Sequence, residues 1–278
     1  MKNFTDSQGF WPVSGRALPG LSRGALGILF LLLGLAAGAW AAPPVRGGIV
    51  PHHDVAIEMI EDFYHRVASE DVKRVWLFSP DHFRQARSFA PYCPDDWATP
   101  FRTIKADEEA SRILKDLSVS GPDSALFEKE HGITIHIPYV ARHFPNATVL
   151  PMVIGLKTPD LALLELKKAI LKIAGESDLF ILSMDFSHYK TPEAMAREDE
   201  KTLPVLAGLH HSRTGEIDVD AGRAAALLLL LMKDLGVQEG TVIRRSDISE
   251  ILGRRVESGT SYGTILYERD RNSRKSIE

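Results

Sequence analysis

Cysteine is almost absent: Cys93 is the only one in 278 residues. A lone thiol excludes an intramolecular disulfide and any cysteine-based zinc cluster. Its setting, Pro91-Tyr92-Cys93-Pro94, reads as a loop, where a free thiol is more often a bystander than a nucleophile. Long runs of one charge are missing too. The formal net charge is -4, and without a basic tract the chain offers nothing to a nucleic-acid backbone. The stretch from Arg269 to Lys275 is basic but interrupted by Asp270 and Asn272, so 269–278 reads as a flexible tail. No internal repeat or linker divides the remainder, and 46–268 is expected to fold as one domain.

A long apolar run occurs once. Gly24 to Val45 contains no charged residue, follows Arg16 and Arg23, and closes on Ala39-Trp40-Ala41-Ala42. Basic region, apolar core and A-x-A site, in that order, describe a secretory signal peptide with cleavage after Ala41. The alternative is an uncleaved membrane anchor, since the run approaches the shortest length that spans a bilayer. Either way, 1–42 predicts an exported protein or one tethered to a membrane, with the folded part starting near Arg46.

Beyond Pro44, short apolar runs alternate with amphipathic stretches. Gly47 to Val50, Arg74 to Phe78, Thr148 to Ile154, Asp178 to Ser183, Thr241 to Arg244 and Ser261 to Tyr267 read as strands. Val55 to Val67, Glu108 to Leu117, Leu161 to Ile173, Glu193 to His211 and Asp220 to Leu235 read as helices. Asp54 is placed to cap the first helix. Arg84 to Asp123 is otherwise irregular, and Ile133 to Pro138 reads as an extended segment with Thr134 and His136 on one face. This alternation predicts an α/β sandwich: a mixed, largely parallel central sheet with helices on both faces.

Three histidines follow directly after predicted strands: His52 in Pro51-His52, His82 in Ser79-Pro-Asp-His82, and His188 in Ser183-Met-Asp185-Phe-Ser-His188. His52 or His82 alone reads as a surface loop residue, and the Asp185 to His188 turn alone reads as a helix cap. Together they matter, because ligands of open α/β sheets gather beyond the carboxyl ends of the strands, and neutral imidazole is the commonest protein metal ligand. Asp185 fits either as a carboxylate ligand or as a group that orients an imidazole. His136, if its segment is extended, faces a cleft or a wet surface. His65, His143, His210 and His211 carry no such pattern.

The stretches Pro51-His52, Ser79-Pro80-Asp81-His82, Glu130-His131-Gly-Ile-Thr-Ile-His136-Ile-Pro138-Tyr139, Ser183-Met-Asp185-Phe-Ser-His188 and Ser258-Gly-Thr-Ser-Tyr262-Gly resemble the Memo family, whose bacterial members are called AmmeMemoRadiSam system protein B. The resemblance runs from about Gly47 to Tyr267. It implies a fold like that of class III extradiol dioxygenases, with a metal cleft at the strand ends. It also implies His52 and His82 as metal ligands, Asp185 and His188 as a further active-site pair, and His136 as the histidine of a Glu-His motif. An animal member supplies a cysteine as third ligand, but Ser246 to Ser258 holds none, which leaves His188, Asp185 or water. The family's usual Cys-Gly-Arg is Ala221-Gly222-Arg223 here, and a usual glutamate is Thr134. Without thiolate, iron(II) is favoured, with zinc or copper as alternatives.

Three functions suit these residues. One is an iron oxidoreductase of the dioxygenase kind, with His52, His82 and His188 as metal residues and Asp185, His188 and His136 as catalytic groups acting on an unknown small molecule. The second is a zinc-dependent hydrolase. The third is a non-enzymatic module that binds metal or a partner. The family name further implies a functional link to radical SAM and AMMECR1-like proteins.

Overall fold

The computed structural model describes residues 45–269. The expected export segment (1–42) and residues 270–278 of the expected tail lie outside the described residues. No helix among the described residues is long and apolar enough to cross a membrane.

The strands are β1 (Val45–Val50), β2 (Arg74–Pro80), β3 (Ala90–Tyr92), β4 (Trp97–Ala98), β5 (Thr103–Ile104), β6 (Ser120–Pro122), β7 (Thr148–Ile154), β8 (Asp178–Ser183), β9 (Val237–Asp247) and β10 (Ser261–Arg269). Eight of them form one sheet in the order β6-β3-β7-β2-β8-β1-β10-β9, while β4 and β5 pair separately. The central four, β7, β2, β8 and β1, are mutually parallel; β10 runs antiparallel to β1 and to β9. The carboxyl ends of β1, β2, β7 and β8 therefore share one edge with the start of β10 and the end of β9.

Helices flank both faces: α1 (Ile57–Val67), α2 (Glu108–Lys115), α3 (Ser124–Phe127), α4 (His131–Thr134), α5 (Ile137–His143), α6 (Asp160–Leu171), α7 (Pro192–Ala207), α8 (Gly222–Asp234) and α9 (Ile248–Leu252). Strand alternation sorts the core into two layers. Trp76, Phe78, Leu150, Phe180 and Leu182 pack with Leu163 and Leu166 of α6 and Leu228 of α8. Val75, Leu77, Val149, Leu179 and Ile181 point the other way, onto Ile60 and Phe63 of α1 and Val140 of α5. Both faces being apolar, polarity alone would not fix strand register. At the end of the sheet away from the site, Arg74 does so by bonding Asp107 at 2.8 Å and Asp178 at 3.3 Å, and Trp76 Nε1 donates to Asp178 at 2.9 Å.

Four local expectations need correction. Ile133 to Pro138 is not a strand but the junction of α4 and α5. Glu130 caps α4 by accepting the Gly132 N–H, and Pro138 sits in the first turn of α5, where no amide donor is needed. Buried Ile133 and Ile137 are spaced i,i+4, which suits a helix as well as a strand. Asp54 caps nothing; it opens a short 3-10 turn before α1. The helix expected to reach His211 ends at Ala207, followed by a turn. Finally, the irregular stretch from Arg84 to Asp123 hides β3 and β6, three-residue strands containing Pro91 and Pro122 that extend the sheet edge. Cys93, just after β3, is buried, and burial pushes its thiol up to about 11.

Candidate metal centre

His52, His82 and Asp220 meet at the shared sheet edge. β8 lies between β1 and β2, yet the loops leaving β1 and β2 lean across it until His52 Nε2 and His82 Nε2 are 3.1 Å apart. Asp220 Oδ2, two residues before α8, lies 3.1 Å from His52 Nε2 and 3.6 Å from His82 Nε2. Bonds of ~2.1 Å from one ion place its ligand atoms roughly 3.0 Å apart at right angles and roughly 3.4 Å apart at tetrahedral angles. The three atoms have the spacing of neighbouring ligands of a single cation.

Their ring orientations are held from behind. His82 Nδ1 bonds Glu130 Oε1 at 2.5 Å, and Glu130 is fully buried. Its other oxygen accepts the His82 backbone N–H at 3.2 Å. His52 Nδ1 pairs with Ser183 Oγ at 3.0 Å, and the His52 N–H donates to Asp185 Oδ1 at 3.1 Å. Both imidazoles thus turn Nε2 inward, as partners on the far nitrogen do for metal-binding histidines. Gly132 lets α4 approach, since a Cβ there would overlap Ser79 Oγ and press on His82 Cε1.

Asp185, the carboxylate after β8, is fully buried. Its backbone N–H donates to Asp220 Oδ1 at 3.2 Å, tying the two acids together. Asp185 Oδ2 comes within 3.0 Å of His53 Nδ1 and 3.5 Å of His52 Nε2. Neither Asp185 Oδ2 nor Asp220 Oδ2 receives a hydrogen bond, although both are buried. Orphaned anionic oxygens beside inward-facing imidazoles are costly unless a cation completes them. The donor set therefore fits a bound metal ion.

Charge within the cluster is strongly redistributed. Burial opposes protonation of His52 and His82, but Asp185 and Asp220 raise His52, while Asp220 and Glu130 raise His82 to about 9. Burial alone would raise Asp220, yet the imidazoles hold it below the ordinary carboxylate range. Asp185, with burial dominant, is raised. Two neighbouring acids pushed apart is the pattern that separates a permanent anion from a proton carrier.

Among the described residues, three groups bring potential ligand atoms within 4.8 Å of one another: His52 with His82 and His131, His53 with Asp185 and His188, and His52 with Asp185 and Asp220. His188 is thus brought to Asp185 and His53 rather than to the His52–His82 pair. Its Nδ1 donates to the Phe186 carbonyl at 2.8 Å, which leaves Nε2 as its working atom. His136 is fully buried, and neither ring nitrogen has a partner. Sequence reasoning missed Asp220 and gave no role to His53, Glu130 or His131. Asp220 read as the start of a helix; its only signal was its position directly before the departure from Cys-Gly-Arg.

Burial pushes the His136 imidazole down to about 3, with repulsion from His52 adding to it. The folded protein keeps it neutral, whereas the unfolded chain protonates it below 6.5. Its contribution to stability is therefore complete above that pH and lost as pH falls toward 3, at ~1.4 kcal/mol per pH unit. Between pH 7.5 and 5.0 this amounts to about 2 kcal/mol. Urea titrations at both pH values should show the acid-induced loss shrinking by that amount in His136→Phe. An unchanged loss would refute the assignment.

A family model described as Memo-like protein matches residues 39–266. A MEMO1 family protein of Pyrobaculum aerophilum is 24% identical over 236 residues, covering 80% of this chain and 83% of that protein. A MEMO1 family protein of Methanococcoides burtonii is 25% identical over 222 residues, covering 75% and 82%. Among solved structures, an uncharacterized protein from Escherichia coli K12 aligns with a TM-score of 0.49 at 11% identity, over 80% of this chain and 99% of that one.

Proposed function

This chain belongs to the Memo-like protein family, and from that premise we propose that it is a metal-dependent oxidoreductase, dioxygenase-like in its site, with iron(II) as the working metal. One observation carries the proposal: His52, His82 and Asp220 form a two-histidine, one-carboxylate triangle with separations of 3.1, 3.1 and 3.6 Å. That ligand set leaves coordination positions open and is associated with non-haem iron. The lone cysteine, Cys93, belongs to none of the clustered groups, so no thiolate favours copper.

The bound ion would supply Lewis acidity and one-electron chemistry with oxygen. The chain's own residues bind, orient and move protons around it. Glu130 and Ser183 fix the two imidazoles. Asp220 stays ionised and supplies the negative charge a cation needs. Asp185, raised by burial and 3.0 Å from His53 Nδ1, is placed to pass a proton with His53, whose Nδ1 also reaches Tyr262 Oη at 3.2 Å. His188, grouped with Asp185 and His53, is the second proton-transfer group.

The test is to strip the protein of metal, reload it anaerobically with iron(II) or zinc(II), and follow oxygen uptake across a panel of catechols. Uptake by the iron form alone, lost in Asp185→Asn, is the expected result. Hydrolytic turnover by the zinc form without oxygen would overturn the oxidoreductase reading and install a hydrolase.

A further inference from the structure

The same edge of the sheet holds a feature that the metal cluster leaves unused. Over the ends of β2 and β7 and the start of β3 lies a cavity of about 660 Å³, well inside the size range of small-molecule sites. Arg84, Arg87 and Lys157 line it, against a single carboxylate, Asp81. That carboxylate is engaged: its two oxygens accept the backbone N–H groups of Gln85 at 3.1 Å and Ala86 at 3.0 Å. Arg87 approaches Asp123 only to 4.0 Å, and among the described residues Arg84 and Lys157 form no ion pair. In a chain of net charge -4, three cations gathered around one concavity run against the overall sign. All three are exposed to solvent, where an incoming anion can meet them.

Two further observations shape the ligand. Phe89 and Leu156 contribute to the lining and remain 44% and 51% exposed, an apolar surface with nothing packed on it. Ser88 Oγ is buried in the wall without a hydrogen-bond partner. Arg84 itself holds a left-handed backbone conformation, φ 54°, which costs a non-glycine residue energy and is found where surrounding structure insists on it. Here the Asp81 turn imposes it.

We propose that this cavity binds the anionic end of an amphipathic small molecule, a carboxylate or a phosphate ester joined to an apolar body. The cations take the charge, and Phe89 with Leu156 covers the body. Asp81 lines the cavity and the next residue, His82, belongs to the metal cluster. The bound molecule is therefore the substrate, or its recognition handle, for the chemistry at that cluster. Only this last step rests on the oxidoreductase reading; the binding does not.

Calorimetric titration of the full-length protein, with metal bound and after chelation, tests both parts. The probes are phenyl phosphate, 3-phenylpropionate, the neutral 3-phenylpropanol and inorganic phosphate. At least one aromatic anion should bind tenfold or more tightly than the neutral alcohol, in both metal states, and its affinity should fall as salt rises. The exposed-residue variant Arg84→Gln/Lys157→Gln should lose at least tenfold of that affinity with its melting temperature unchanged. Preference for phenyl phosphate or for 3-phenylpropionate identifies the head group. Equal binding of the alcohol, or unchanged binding by the double variant, overturns the cavity assignment. Inorganic phosphate binding as tightly as phenyl phosphate overturns the apolar half. If anions bind as expected while the iron form shows no oxygen uptake, the pocket stands and the oxidoreductase reading fails.

Discussion

Alanine at His52 or at His82 is expected to leave the purified protein without bound metal, where the wild type retains about one ion per chain. Each imidazole contributes one corner of the triangle with Asp220, and removing a corner costs more than the roughly 10–100-fold in affinity that loss of an orienting partner costs. Asp220→Ala belongs in the same class. Glu130→Gln should fall in the milder one, because Glu130 acts on the centre from behind, through His82 Nδ1 and the backbone amides of His82 and Gly132. His188→Ala should keep its metal and lose turnover, since His188 is grouped with Asp185 and His53. Metal content by mass spectrometry separates these classes directly. Stability supplies a second readout: metal at about 100 times its Kd adds roughly 2.7 kcal/mol to the folded state. Chelation should therefore lower the wild-type Tm by roughly 5–10 °C and leave His52→Ala unmoved. Metal retained in both histidine variants, or lost in His188→Ala, would place the centre elsewhere.

Part of this site was legible because strand-end position is a local signal. Buried β1, β2 and β8 read as short apolar runs, and the residues that follow them fall on the ligand-binding edge of the sheet once the strands are parallel. His52 and His82 could be paired on that basis, and Asp185 placed nearby. The rest depended on long-range packing. Asp220 is 168 residues beyond His52 in sequence and reaches it only because α8 packs on the sheet. Glu130 was hidden by a periodicity error: Ile133, Ile135 and Ile137 alternate like a strand, so the capping glutamate ahead of α4 was not read as a cap. His136 shows the same error from inside, because a strand would have turned it toward a cleft and two short helices bury it instead. The sheet edge at β3 and β6 was hidden by prolines that usually argue against strands.

Phe186 links this packing to the chemistry, and Gly263 is where the link is most exposed to test. Phe186 follows Asp185 and is fully buried. Its N–H bonds the Ser261 carbonyl of β10 at 2.9 Å, and its own carbonyl holds His188 Nδ1. Its ring lies against Gly263, the third residue of β10. A Cβ at Gly263 would overlap the ring, with even Cε1 only 2.9 Å away, well inside the roughly 3.5–4.0 Å of ordinary carbon contact. The struck atoms are a side-chain tip, but the ring is packed within the main core cluster. It cannot swing aside without moving the backbone that carries Asp185 and the His188 acceptor. Gly263→Ala should therefore cost about 1–3 kcal/mol, a fall of roughly 2–12 °C in Tm, and should impair turnover more than metal content. Trimming the ring distinguishes this clash from a general intolerance of alanine in β10. In Gly263→Ala/Phe186→Leu the two substitutions should offset one another by about 1 kcal/mol or more relative to their sum. Strict additivity would mean that the strain sits in β10 itself, and that Phe186 does not carry it to Asp185.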